Sequence, residues 1–169
     1  CLAILAAAGS PRMAASQQGR VETIKIQSSA LDGNLLGNST EREVSVYLPP
    51  VYDQLPDAKF PVVYLLHYNE RSMTSLVEDI GGWPTMDDFF GRDGSQAMIV
   101  VVPDTDDRYL GAMYTNSPVA GNWKDFITQE LVPYVDANYN TMVQPNGRGF
   151  AGLLSGGYGS IRLAMEHPE

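Results

Sequence analysis

The stretch Arg148-Gly-Phe-Ala-Gly-Leu-Leu-Ser-Gly-Gly-Tyr-Gly-Ser160 joins a short apolar run, a glycine cluster and a serine. A buried strand that enters such a cluster and leaves it as a helix turns very sharply. Side chains two before and two after the tip would collide, so those positions take glycine. The tip itself stands in a strained backbone region, beside a helix N-terminus whose dipole favours a developing anion. This is how a hydroxyl is offered to an acyl carbonyl. Two frames fit the residues. With Gly152, Gly156 and Gly157 as the glycines of the bend, Leu154 takes the nucleophile position and Ser155 supplies the amide that follows it. Leucine has no nucleophilic atom and is bulky for that geometry. If the bend slips by one residue, Ser155 is presented, with Gly157 two places later and Leu153 where a glycine is wanted. Otherwise Ser155 is a helix N-cap at a bend that does no chemistry.

A serine nucleophile needs a histidine as general base, and the sequence has two, His67 and His167. Cys1 is the single cysteine, which excludes an internal disulfide and a cysteine metal site. Asp104-Thr-Asp-Asp107 follows an apolar strand and offers oxygens to calcium. Arg108 then stands where a further oxygen ligand is needed, so the expectation is a solvated acidic loop. Gly147-Arg-Gly-Phe-Ala-Gly152 matches Gly-x-Gly-x-x-Gly, but its glycines run through a strand rather than leaving one, which argues against a dinucleotide site. Trp83 and Trp123 read as packing residues.

These groups must be held by alternating strands and helices. Residues 21–28 alternate, with Val21, Thr23, Lys25 and Gln27 on one side and Ile24 and Ile26 on the other, and residues 43–48 alternate again, so the two predict an antiparallel pair. Residues 31–40 read as a loop containing a formal glycosylation sequon at Asn38-Ser39-Thr40. Phe60-Pro-Val-Val-Tyr-Leu-Leu66 and Ala97-Met-Ile-Val-Val-Val102 are continuous apolar runs, the mark of parallel strands covered on both faces. Gly149-Phe-Ala-Gly152 is a shorter third. Thr85-Met-Asp87-Asp88 looks like a capping-box start leading to Phe89 and Phe90. Asn122 is placed to cap a helix carrying Trp123, Phe126, Ile127, Leu131 and Val135 on one face, with Pro133 kinking or restarting it. A last helix runs from about Ser155 to His167-Pro168. The pattern is a doubly wound, mostly parallel α/β sheet.

Residues 42–169 resemble the secreted esterase-like family of α/β-hydrolases, which includes feruloyl and acetyl esterases, esterase D and the mycolyltransferases. Pro61-Val-Val-Tyr-Leu-Leu-His67 is similar to its strand before the oxyanion loop. Tyr114-Thr-Asn-Ser-Pro118, Trp123-Lys-Asp-Phe126 and Glu130-Leu-Val-Pro-Tyr134 are similar to the segment before the nucleophile elbow. Arg148 to Glu169 is similar to the elbow and the helix after it. The resemblance implies an α/β-hydrolase fold and a serine attacking an acyl ester, with no metal or cofactor required. It also implies backbone donors for the oxyanion at Tyr68 or Asn69 and at Ser155. The family carries Ser at position 154 and a glycine after His67, and this chain departs at both. Its order of nucleophile, acid and then histidine implies that the acid and the base follow residue 169. The chain therefore reads as the front part of such a domain, truncated after the elbow helix.

Composition agrees. Hydrophobic residues make up 44% and charged residues 18% of the 169, with a net charge of −9, as in a globular acidic domain. Such a surface repels nucleic acid and anionic lipid. Residues 1–18 read as the apolar and cleavage regions of a signal peptide, too short for a membrane span, with 19–169 as the domain. Together these predict a secreted or periplasmic carboxylic-ester hydrolase acting on small-molecule or polysaccharide-linked esters. An acyltransferase to a sugar, a non-catalytic binding relative, and a gene fragment with errors near 68 and 154 are the alternatives.

Overall fold

The structure is a computed structural model and describes residues 18–68, 73–92, 96–109 and 111–168. Among the described residues, five strands form the central sheet: β1 (Arg20–Gln27), β2 (Glu41–Leu48), β3 (Val62–Leu66), β4 (Ile99–Pro103) and β7 (Arg148–Gly152). Their order is β1-β2-β4-β3-β7. β1 pairs antiparallel with β2 and β2 antiparallel with β4, whereas β3 lies parallel to both β4 and β7. The alternating strands thus make the antiparallel side and the continuous apolar strands the parallel centre. A small hairpin, β5 (Asn116–Ser117) with β6 (Gly121–Asn122), stands apart.

Helices cover both faces, which is why β4 is buried along its whole length. On one face Val44, Val46, Val62, Leu66, Ile99 and Val101 pack with Trp123, Phe126, Ile127, Leu131, Val135 and Leu163. On the other, Tyr47, Val100 and Val102 pack with Leu76 and Val77 and with the partly buried Trp83, Met86 and Phe90. The second group comes from α1 (Met73–Asp79) and α2 (Gly82–Phe90). The first comes from α3 (Trp123–Asp125), a π-helical stretch at Phe126–Leu131, α4 (Val132–Asn138) and α5 (Ser155–Glu166). Trp83 stacks on Tyr47 at 5.9 Å and Trp123 is 1% exposed, so both tryptophans pack as expected.

Two local expectations are corrected. Helix α2 starts at Gly82, after Gly81 at φ 92, so Thr85 lies inside it and bonds back to the Gly81 carbonyl. Asp87 does not cap; it accepts from the Tyr47 hydroxyl at 2.8 Å and the Gly19 amide at 2.8 Å, tying α2 to β2. The Asn122 side chain makes no cap bond, and the Asp125 amide is taken instead by Asn116 Oδ1 from β5. Pro133 restarts the helix as expected, standing in the first turn of α4. It has no N–H to give, and the preceding turns widen to the π-helical form before α4 continues. The Asn38 side chain of the sequon is engaged, donating to the Ala120 carbonyl at 2.9 Å and accepting from the Arg108 amide at 3.0 Å.

Glu130, on the π-helical stretch, fastens the segment after β1. It accepts from the Ser28 hydroxyl, the Ser29 hydroxyl and amide, and the Ala30 amide. Burial pushes its carboxyl up, but these hydrogen bonds outweigh that and hold it below its ordinary value of 4.5. A carboxyl lowered on folding stabilises above its unfolded pKa and loses that contribution as pH falls through the folded one. Glu130→Gln is therefore expected to cost about 1–2 kcal/mol near neutrality. The gap to wild type should close as pH drops below 4.5. Urea denaturation across that range checks it, and a gap independent of pH would show that the carboxylate charge is not what holds the segment.

Candidate active site

β7 and β3 end at the same edge of the sheet, and the chain leaves β7 through residues 153 and 154 into α5. Leu154 stands at the N-terminus of α5 with φ 51 and ψ −116, and is 78% exposed. A leucine at positive φ is held there by its surroundings. The glycines show how. A Cβ on Gly156 would lie 2.1 Å from the Leu66 carbonyl oxygen, and one on Gly152 would lie 2.5 Å from the Gly156 carbonyl carbon. Both positions press on backbone at the end of β3, so the bend is centred between them. Gly157 is under less pressure, its nearest obstacle being the Gly152 oxygen at 3.2 Å. The Gly156 amide donates to Leu153 and the Tyr158 amide to Leu154, closing the first turn. Leu154 is thus at the tip, and Ser155, half-buried, is the first residue of the helix with its amide next after the tip.

The segment after β3 is fixed by a buried polar cluster that sequence reasoning missed. His67 is 1% exposed, and its Nε2 accepts the Thr105 amide proton at 2.9 Å. The ring therefore carries its proton on Nδ1, which faces the Tyr68 carbonyl at 3.3 Å. Tyr114 donates to the His67 carbonyl at 2.6 Å and lies 3.0 Å from the Thr105 hydroxyl. Tyr114 sits at φ 53, and a Cβ on Gly159 of α5 would lie 2.5 Å from its ring. One buried tyrosine thereby joins the loop after β3, the loop after β4 and the elbow helix. Burial pushes the Tyr114 phenol up, so it stays a donor. The signal for this cluster was a threonine two residues after a buried strand and a tyrosine in the pre-elbow segment, neither of which names its partner.

Tyr114→Phe leaves the His67 carbonyl without its donor in a dry site. It is expected to cost about 1–3 kcal/mol, read as a lowered urea midpoint. A change within about 0.5 kcal/mol would mean that the cluster is passive.

The other predicted residues fall as follows. Tyr68 is half-buried against the Tyr47 cluster, and its hydroxyl donates to Asp79 at 2.9 Å. Asn69 lies outside the described residues, as do residues 1–17 of the leader. His67 has both ring nitrogens engaged inside the fold, which leaves none for a proton relay. His167 caps the far end of the 12-residue α5, about 18 Å from the tip along the axis, out of reach of it.

The acidic loop after β4 is more ordered than a solvated loop. Asp104 pairs with Arg42 at 2.9 Å and also accepts the Asp106 amide, while Asp107 accepts the amides of Tyr109 and Gly111. His67, Asp104 and Asp106 bring ligand atoms within 4.8 Å of one another. They do not suit a cation, because the His67 Nε2 lone pair is taken by Thr105 and the Arg42 guanidinium sits on Asp104. Among the described residues, no helix is long and apolar enough to cross a membrane.

Residues 37–169 match the family model described as "Putative esterase". An esterase of Mycobacterium tuberculosis is 30% identical over 136 residues, 73% of this chain and 26% of that protein. An endo-1,4-beta-xylanase/feruloyl esterase of Xylanibacter ruminicola is 28% identical over 131 residues, 74% of this chain and 18% of that protein. Among solved structures, a ferulic acid esterase superposes with a TM-score of 0.74 at 24% identity, covering 89% of this chain and 55% of that one. The chain spans about a quarter of the length of the first of these relatives and about half of the solved structure. The sheet order, the helices on both faces, the bend at the end of β7 and the match over residues 37–169 agree, and the chain belongs to this esterase family with the α/β-hydrolase fold.

Proposed function

We propose that the protein is directed at carboxylic esters, either small-molecule acyl esters or acyl groups on polysaccharide, and that it works outside the cytoplasm. The observation that carries this reading is the bend at residues 152–156. It projects one side chain into solvent, at a helix N-terminus and beside the end of a central parallel strand. That geometry suits an acyl carbonyl: an attacking oxygen bonds to the carbonyl carbon, and the oxyanion collects at backbone amides of the first helical turn and of the loop after β3. The hydroxyl proton needs a base that takes it and returns it to the leaving alcohol, a role in which neither His67 nor His167 is placed to serve. The leader-like residues 1–18 and the net charge of −9 support export.

A second reading is favoured by one residue. With Leu154 at the tip and 78% exposed, the position offers an apolar contact where the mechanism needs an oxygen. On that reading the protein binds acyl esters without cleaving them.

A fluorophosphonate probe and p-nitrophenyl acetate separate the two. Labelling and turnover that disappear in Ser155→Ala support hydrolysis through a bend that shifts by one residue. Saturable binding of the ester with no Ser155-dependent labelling supports the binding reading, which is the outcome the geometry of Leu154 predicts. A protein that shows no binding and no labelling would overturn the ester assignment.

A further inference from the structure

We infer that Asp87 is the docking site of a chain-terminal ammonium, released at Gly19 when the leader is removed, and that this step fastens α2 to the sheet. The inference rests on the reading of residues 1–18 as a leader and does not need the ester reading. Water adds across the Gln18–Gly19 peptide bond, leaving a carboxylate on Gln18 and an ammonium on Gly19. A peptidase of the export route supplies the catalysis.

Asp87 is the first observation. It is half-buried on α2, and its Oδ1 accepts both the Gly19 amide and the Tyr47 hydroxyl, each at 2.8 Å. Its Oδ2 accepts no hydrogen bond from the described residues, and no lysine, arginine or histidine among them pairs with it. A carboxylate that gives up part of its water is expected to gain a cation or several donors in return. Asp87 has two neutral donors on one oxygen and none on the other.

Gly19 is the second. Its surroundings leave no space for a side chain: a Cβ there would lie 2.5 Å from the Leu48 carbonyl oxygen, 2.7 Å from the Tyr47 ring and 2.8 Å from Asp87 Oδ1. The backbone is therefore held, with its nitrogen aimed at the carboxylate, while Gln18 before it is exposed. Once the peptide bond is cut, that nitrogen becomes a cation with three donors. At 2.8 Å from Oδ1 it turns a hydrogen bond from a neutral amide into an ion pair, with no movement of the chain.

The other charged and titratable groups nearby do not compete. Arg20 is taken up by Glu22 and Asp53. Burial, and then the bond to Asp87, pushes the Tyr47 phenol up, so it stays a donor while the amine titrates. The consequence falls on α2, which starts after the left-handed Gly81 and stacks Trp83 on the Tyr47 ring at 5.9 Å. An amine raised by its partner stabilises fully below its unfolded value, about 7.7–8.0 for a chain terminus, and loses that contribution as pH rises through the folded value.

The test is a set of thermal melts of the full chain and of the chain beginning at Gly19, which keeps every strand and helix described above, each with and without Asp87→Asn. At neutral pH the chain from Gly19 should melt about 2–4 °C above the full chain. The difference should vanish by about pH 10, on Nα-acetylation of Gly19, and in Asp87→Asn. Should Asp87→Asn fail to fold, the acetylated protein and the pH series decide alone. The inference is overturned if the two lengths melt together at neutral pH. It is equally overturned if the difference survives acetylation, alkaline pH or loss of the Asp87 charge, which would assign it to the bulk of the leader. The melts read folding and not turnover, so their failure would leave the ester assignment standing, and failure of the fluorophosphonate test would leave this inference intact.

Discussion

Gly156→Ala is expected to destabilise the chain by about 3 kcal/mol, read as a melting temperature lowered by several degrees or more. The added methyl carbon would lie 2.1 Å from the Leu66 oxygen, 2.8 Å from the Leu66 carbonyl carbon and 2.9 Å from the His67 oxygen. All three are backbone atoms at the end of a central strand, so no side chain can rotate away. Relief requires α5 to move off β3, which undoes the packing of Leu163 and the Tyr114–Gly159 contact. A cost of about 3 kcal/mol or more is the size at which overpacking against rigid neighbours falls, out of a total stability of about 5–15 kcal/mol. Gly157→Ala is the control. Its Cβ meets the Gly152 oxygen at 3.2 Å and the Gly152 carbonyl carbon at 3.7 Å, a contact relieved by a small shift, and alanine is the better helix former by about 1 kcal/mol, so its cost should be far smaller than at 156. Thermal melts followed by circular dichroism compare the two. A reversed order, with the alanine at 157 the harmful one, would place Ser155 at the tip and overturn the frame described above.

Leu154→Ser should make the chain react with a fluorophosphonate at residue 154, at least about tenfold above the background of wild type. The backbone already holds this residue at φ 51 and ψ −116, next to the first amide of α5, so the substitution supplies the missing oxygen without rebuilding the bend. Oriented oxyanion donors alone account for about a hundredfold or more in enzymes where they have been removed, so a gain is expected even before a base is positioned. Stability should not suffer. Leu154 is 78% exposed, so little packing is lost, and a smaller side chain eases a conformation that costs about 1–3 kcal/mol. Mass spectrometry of the labelled peptide locates the adduct. An adduct on Ser155 in both proteins, or none in either, would show that residue 154 does not face an acyl-phosphate-shaped site.

Much of the architecture was legible because burial writes itself into sequence. The unbroken run at residues 97–102 reads as a strand covered on both faces, and β4 is one, with Ile99 and Val101 in one core and Val100 and Val102 in the other. The alternation at residues 21–28 reads as a half-exposed strand, and β1 is one at the antiparallel side. What failed was chemistry that depends on a distant partner. Thr85 and Asp87 look like a cap, but the helix begins earlier at a left-handed glycine, and Asp87 is claimed by Tyr47, 40 residues away. Nothing in the sequence singles out Arg42, yet it is buried because Trp123 and the Asp104–Asp106 loop close over it.

Where the strands and helices lie along the chain, the glycine-rich bend and the identity of residue 154 were set by the linear sequence, because backbone preference and apolar periodicity act over a few residues at a time. Which residue the bend presents, which nitrogen of His67 holds its proton, and which of Asp104 and Asp106 pairs with Arg42 were decided only in three dimensions. Each depends on where a carbonyl, an amide or a guanidinium from another strand comes to rest. Steric exclusion at Gly156 and the competition for hydrogen bonds around Thr105 exist only once those strands lie side by side.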